Sequence, residues 1–92
     1  MADPDFLDEA PSSDEIVAYD ERHLTTYLRL LDAESERAGW QEAARRILGC
    51  DPDAEAERAQ RMYESHLARA RWMSREGYRQ LAARGHEKPP IN

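Results

Sequence analysis

Few residues in this 92-residue chain combine the types and spacing that chemistry requires. His23, His66 and His86 could each ligate a metal or move a proton, but they lie too far apart to form a helical ligand pair. Cys50 is the lone cysteine, so no sulfur partner completes a zinc site. Packing is the simpler role, and His66 is expected on an inward helix face, neutral and hydrogen-bonded through one ring nitrogen. Asp51, Asp53 and Glu55 match positions one, three and five of a calcium loop. The match then fails, because Ala56 stands where the sharp turn needs glycine and Met62 where a bidentate glutamate is needed. These carboxylates suit a helix N-terminus, where they face the positive end of the dipole.

No Ser, Thr or Cys sits in a nucleophile motif, and the four glycines are isolated, so no loop could cradle phosphate. None of the nineteen carboxylates is marked out by an apolar setting for acid–base work. The expectation is a binding domain with no catalytic residue, no cofactor, no metal and no small-molecule substrate.

Two groups of side chains suit binding. Arg58, Arg61 and Arg69 fall opposite the apolar stripe of the longest helix, where arginines can meet phosphates and guanine edges. The plain alternative is a solvated face balanced by Glu57 and Glu64. Leu30 and Trp72 fall off the apolar stripes of their helices, so they either pack under neighbouring segments or stand exposed as protein anchors. For Trp72, cover over Tyr78 is the favoured arrangement. With Met73 and Tyr78 they make up the candidate partner-binding set: Leu30, Trp72, Met73 and Tyr78.

The elements that must position these residues are helical. Ala, Leu, Glu and Arg abound, 35% of residues are charged, and strand formers are few. The fold class expected is all-α, one small helical domain. The charge of −6 is uneven: residues 1–56 hold fifteen acids and five bases, residues 57–92 four acids and eight bases. Eight carboxylates and no Lys or Arg occupy the first twenty-one residues, so 1–13 reads as a disordered acidic leader. Ser12 and Glu15 fit a capping box for a short turn through Ile16 and Tyr19.

The domain proper spans 14–84. A first helix is expected from Asp20 to Arg37, with Leu24, Tyr27, Leu28 and Leu31 buried and Gly39 as its stop. A second runs from Trp40 to Leu48 and ends at Gly49. A third runs from Pro52 to Met73, capped by Asp51, with Ala56, Ala59, Tyr63, His66, Leu67 and Ala70 inward. Ser74 caps a last helix over Arg75–Arg84 with Tyr78, Leu81 and Ala82 inward, and 85–92 is a flexible tail. With one cysteine and no apolar signal or membrane-length run, a cytoplasmic protein is expected.

The blocks Tyr27-Leu28-Arg29-Leu30-Leu31-Asp32-Ala33, Gly39-Trp40 through Ile47-Leu48, His66-Leu67-Ala68-Arg69-Ala70-Arg71-Trp72-Met73 and Gly77-Tyr78-Arg79-Gln80-Leu81 occur in a telling order. Together they resemble a proteobacterial family, labelled a domain of unknown function, that is common on integrative and conjugative elements. The resemblance covers about Asp20 to Ala83. It implies a helix-turn-helix variant with an extended turn, here Gly49 to about Glu55, and a recognition helix through Arg58 to Trp72. For a short, acidic, stand-alone member it implies an antiactivator of quorum sensing. Such a protein binds and sequesters transcriptional activators, the quorum-sensing and excision or transfer regulators, and so represses conjugative transfer. The alternative is a direct DNA-binding regulator using Arg58, Arg61 and Arg69. Negative overall charge favours the protein partner.

Overall fold

The computed structural model describes residues 6–86, with side chains through residue 83. Among them the regular structure is entirely helical. Helix α1 is Ala18–Arg22, α2 Leu24–Ser35, α3 Trp40–Ala43, α4 Ala56–Trp72 and α5 Tyr78–His86. No helix among the described residues is long and apolar enough to cross a membrane.

The single helix expected over Asp20–Arg37 is divided at His23, whose φ of −118° breaks the helical run between α1 and α2. Asp20 does satisfy an orphan amide, but from inside α1, by accepting the Val17 N–H at 3.0 Å. The stop after α2 also differs from the expectation. Arg37, not Gly39, takes the left-handed conformation (φ 61°), and the Ala38 N–H reaches back to the Ala33 carbonyl at 2.9 Å. That bond closes the helix end in the manner of a Schellman motif, at the cost of placing a side chain where glycine is easier. Gly39 is extended and instead precedes α3.

α3 widens into a π-helical turn over Ala44–Leu48, and Gly49 ends it at φ 70°, as its type requires. In the connection that follows, Asp51 Oδ1 accepts the N–H groups of Asp53 (3.0 Å) and Ala54 (3.2 Å). Asp51 therefore caps one isolated turn, and α4 begins four residues later than Pro52. A second π-helical turn, Met73–Gly77, joins α4 to α5 without a break. Ser74 starts no new helix: its hydroxyl donates to the Arg71 carbonyl one turn back at 2.7 Å. The tail expected over 85–92 begins inside α5 for residues 85 and 86, and 87–92 lie outside the described residues.

Among the described residues, two clusters form the core. Leu30, Ala43, Ala44, Leu48, Ala59, Met62, Tyr63 and Leu67 join α2, α3 and α4, while Ile16, Tyr27, Ala70 and Met73 join the chain before α1 to α2 and the end of α4. The inward stripe of α4 is close to the expected one. Met62 is added to it, and Ala56 proves exposed.

Candidate functional site

Residues 6–16, bent at 8–9 and 14–15, lie as a strap against α1, α4 and α5, and this corrects the expectation of a disordered leader over 1–13 for the part described. Phe6 packs on the core and against the rings of His23 and His66, with centroids 4.8 and 5.9 Å away. The Leu7 N–H donates to Tyr19 Oη at 3.0 Å and the Ala10 N–H to Ser65 Oγ at 3.0 Å. Further on, the Ile16 N–H donates to Gln80 Oε1, and Gln80 Nε2 donates to the Asp14 carbonyl. A handful of apolar and backbone anchors thus offsets the self-repulsion that composition alone implied. Helix α1 is entered at Val17, whose N–H donates to Asp20, so the capping box read from Ser12 and Glu15 is not formed there.

The strap lies along the face of α4 that carries the candidate DNA-contacting arginines. Arg58 pairs with Asp8 at 2.9 Å and with Glu55 at 3.1 Å, and Arg61 with Glu9 at 3.9 Å. These are solvent-exposed pairs, worth little in stability, but they place carboxylates where phosphates would have to sit. Arg69 corrects the sequence reading outright. It is 3% exposed and turned inward, because Asp20 of α1 draws it in.

Arg69 holds Asp20 through two bonds, Nε to Oδ1 at 3.0 Å and Nη2 to Oδ2 at 2.6 Å, and donates to the carbonyls of Ser13 (2.6 Å) and Glu15 (2.8 Å). Tyr27 Oη adds a bond to Asp20 Oδ1 at 2.7 Å. Burial would raise the Asp20 carboxyl, but the bonds from Arg69, the Val17 amide and Tyr27 outweigh it and hold the group below the ordinary carboxylate range. Burial, with Asp20 as acceptor, pushes the Tyr27 phenol far above its usual value. The cluster is a structural lock joining strap, α1, α2 and α4.

Beside it lies a second polar nest. The Met62 carbonyl can only accept, so His66 Nδ1–H donates to it at 2.7 Å, and Nε2 then accepts from Tyr19 Oη at 2.6 Å. His66 is thus placed inward as expected, with both nitrogens engaged. Burial, with the neighbouring His23, pushes its pKa down. His23 Nε2 is buried and meets no hydrogen-bond partner among the described residues. Cys50 is buried, and burial raises its thiol pKa, away from the reactive thiolate. Among the described residues no group of three or more His, Cys, Asp or Glu could hold a metal.

Apart from Leu7 on the strap, the large exposed apolar side chains among the described residues gather elsewhere, in a groove of about 260 Å³ between α2 and α5. Tyr27, Leu31, Ala70 and Met73 form its floor, and its walls are Leu24 and Leu28 on one side and Tyr78 and Leu81 on the other. Of the four candidate anchors, Tyr78 belongs to this surface at 70% exposure, whereas it was expected inward. Met73 is buried in the floor and available only at its edge. Leu30 is fully buried in the main core and is no anchor. Trp72 is half-buried under the Arg69 guanidinium, 3.9 Å from its ring centroid, and its ring also approaches Gly77.

Sequence reasoning missed Leu24 and Leu28 as surface residues, and the cause lies in α2. Two apolar stripes overlap there, Leu24-Tyr27-Leu28-Leu31 and His23-Tyr27-Leu30, and the one containing a histidine is buried. The signal was Leu30, too large and apolar to be left in solvent by a helix with a core to fill.

No protein-family model matches the chain, and a search of curated proteins finds no significantly similar sequence.

Proposed function

We propose that this chain is an antiactivator: a protein that binds transcriptional activators and keeps them from their promoters, thereby repressing conjugative transfer of an integrative and conjugative element. Quorum-sensing and excision or transfer regulators are the activators meant, and the cytoplasm is where the encounter takes place. The observation that carries the reading is a division of surfaces. Arg58 and Arg61 on α4 are paired with the chain's own carboxylates, Asp8 and Glu9, while an uncovered apolar groove faces solvent between α2 and α5. The connection Gly49–Glu55, longer than an ordinary three- or four-residue turn, agrees with a helix-turn-helix variant in which α3 and α4 are the motif helices.

Direct DNA binding is the weaker reading, since Arg69 is committed to Asp20 and only Arg58 and Arg61 reach solvent. The test is a promoter-DNA titration with a candidate activator, with and without the chain. The expected result is loss of the activator–DNA complex at near-stoichiometric chain, and no shift by the chain alone. A specific shift by the chain alone, falling steeply with salt, would overturn the proposal.

A further inference from the structure

We propose that the α2–α5 groove receives an amphipathic helix of the partner, with its apolar face on Leu24, Leu28 and Tyr78 and a Lys/Arg flank along the α2 edge. The identity of that partner as a transcriptional activator rests on the preceding reading; the helix-binding groove itself does not.

Shape gives the first argument. Two helices flanking an apolar floor leave a trough that a third helix can fill, with anchors at i, i+3, i+4 and i+7. From Leu24 and Leu28 on the wall to Leu31 on the floor, α2 lines the trough over about 10 Å, two turns of a guest helix, at a rise of about 1.5 Å per residue. Leu28 is 63% exposed and Leu24 37%, so large apolar groups stand ready to be covered.

Charge selects the guest. On the helical wheel of α2, Asp32 lies one turn beyond Leu28 at the outer edge of the groove, and Glu36 follows it just past the helix end. Both are exposed, and neither forms an ion pair with another described residue. Asp32 is therefore the carboxylate next to the apolar wall, while Glu36 stands behind it in a neighbouring hollow that Arg29 and Arg46 also line. On the other edge Arg75, one turn before Tyr78, is likewise exposed and unpaired among the described residues. A guest with basic residues on one flank and an acid on the other meets both edges. A second copy of the chain is disfavoured, because two molecules of charge −6 repel one another. A DNA-binding protein, positive overall, is attracted instead.

The test uses the full chain, 15N-labelled, and two synthetic helical probes of sixteen residues with Leu at i, i+3, i+4 and i+7. One carries Lys along the flank that meets α2, the other Glu at the same positions. Amide shifts are expected at Leu24, Leu28 and Tyr78 with the Lys probe, which binds at least tenfold tighter than the Glu probe. Leu28→Glu, an exposed position that leaves the fold intact by circular dichroism, removes binding. Asp32→Lys with Glu36→Lys inverts the preference between the probes. Three outcomes would overturn the proposal: no shifts in the groove at millimolar probe, equal binding of both probes, or a Leu28-dependent dimer of the chain alone in sedimentation. An activator captured without any response to Leu28→Glu would defeat the groove and spare the antiactivator reading. Probe binding with no activator capture would do the reverse.

Discussion

Replacing Asp20 by Asn should be among the most damaging conservative changes in this protein. Asp20 is fully buried and accepts four hydrogen bonds: from the Val17 amide, Tyr27 Oη and two nitrogens of Arg69. Asn keeps the volume but loses the charge, and its amide turns donors toward donors. Arg69 keeps its bonds to the Ser13 and Glu15 carbonyls, yet its cation is left buried without a counter-charge. Removing one member of a buried pair costs about 3–5 kcal/mol. A domain of this size loses about 4–8 °C of Tm per kcal/mol, so the melting temperature should fall by at least about 12 °C. Urea unfolding followed by circular dichroism at pH 7 measures the loss directly. The pH dependence gives a second reading. Because the folded carboxyl titrates below its unfolded value near 3.9, its contribution is present above about pH 4 and fades as pH falls through the folded value. The gap between wild type and Asp20→Asn should therefore narrow below pH 4. A cost under about 1 kcal/mol at pH 7, or a gap unchanged by acid, would refute the lock.

Leu30→Ala should cost about 2–5 kcal/mol by emptying a core position, whereas Leu28→Ala should change stability by less than about 0.5 kcal/mol; thermal melts of the pair separate the buried stripe from the exposed one. His66 is held neutral with its pKa below the usual 6.5, so its share of stability is complete above about pH 6.5 and lost as pH falls through the folded value. His66→Gln should flatten that part of the urea-midpoint profile. Phe6→Ala should free the first turn of the strap, seen as faster proteolysis before Pro11 with a Tm change of only a few degrees, since most core contacts lie elsewhere. A Tm loss as large as that of Leu30→Ala would contradict this division of labour.

Helix existence and most of the inward stripe of α4 were legible in the sequence, because a 3.6-residue period over seventeen residues leaves few alternatives. The end at Gly49 was legible because its left-handed turn suits glycine. What stayed hidden depended on partners distant in sequence. Arg69 reads as a surface residue until Asp20, forty-nine positions away, is seen to draw it inward. The strap reads as a solvated tail until Phe6 finds His23 and His66. In the candidate site, Tyr78 was picked out, but for a position thought to face inward. Leu24 and Leu28 were missed because local periodicity cannot choose between two overlapping stripes on α2. The π-helical turns had no local signature at all, and the second of them decides which way Tyr78 points.

That second turn sets the phase of α5 against α2. A π-helical turn is an α-helix carrying one extra residue, absorbed within Met73–Gly77. Wound instead as a regular α-helix, the same residues would rotate everything after them by about 100°. Tyr78 and Leu81 would then swing away from Leu24 and Leu28, and the trough would lose a wall while both core clusters kept most of their members. A one-residue deletion within Met73–Gly77, ordinarily a crude lesion in a helix, would here leave the facing of α5, and with it the binding surface, almost unchanged.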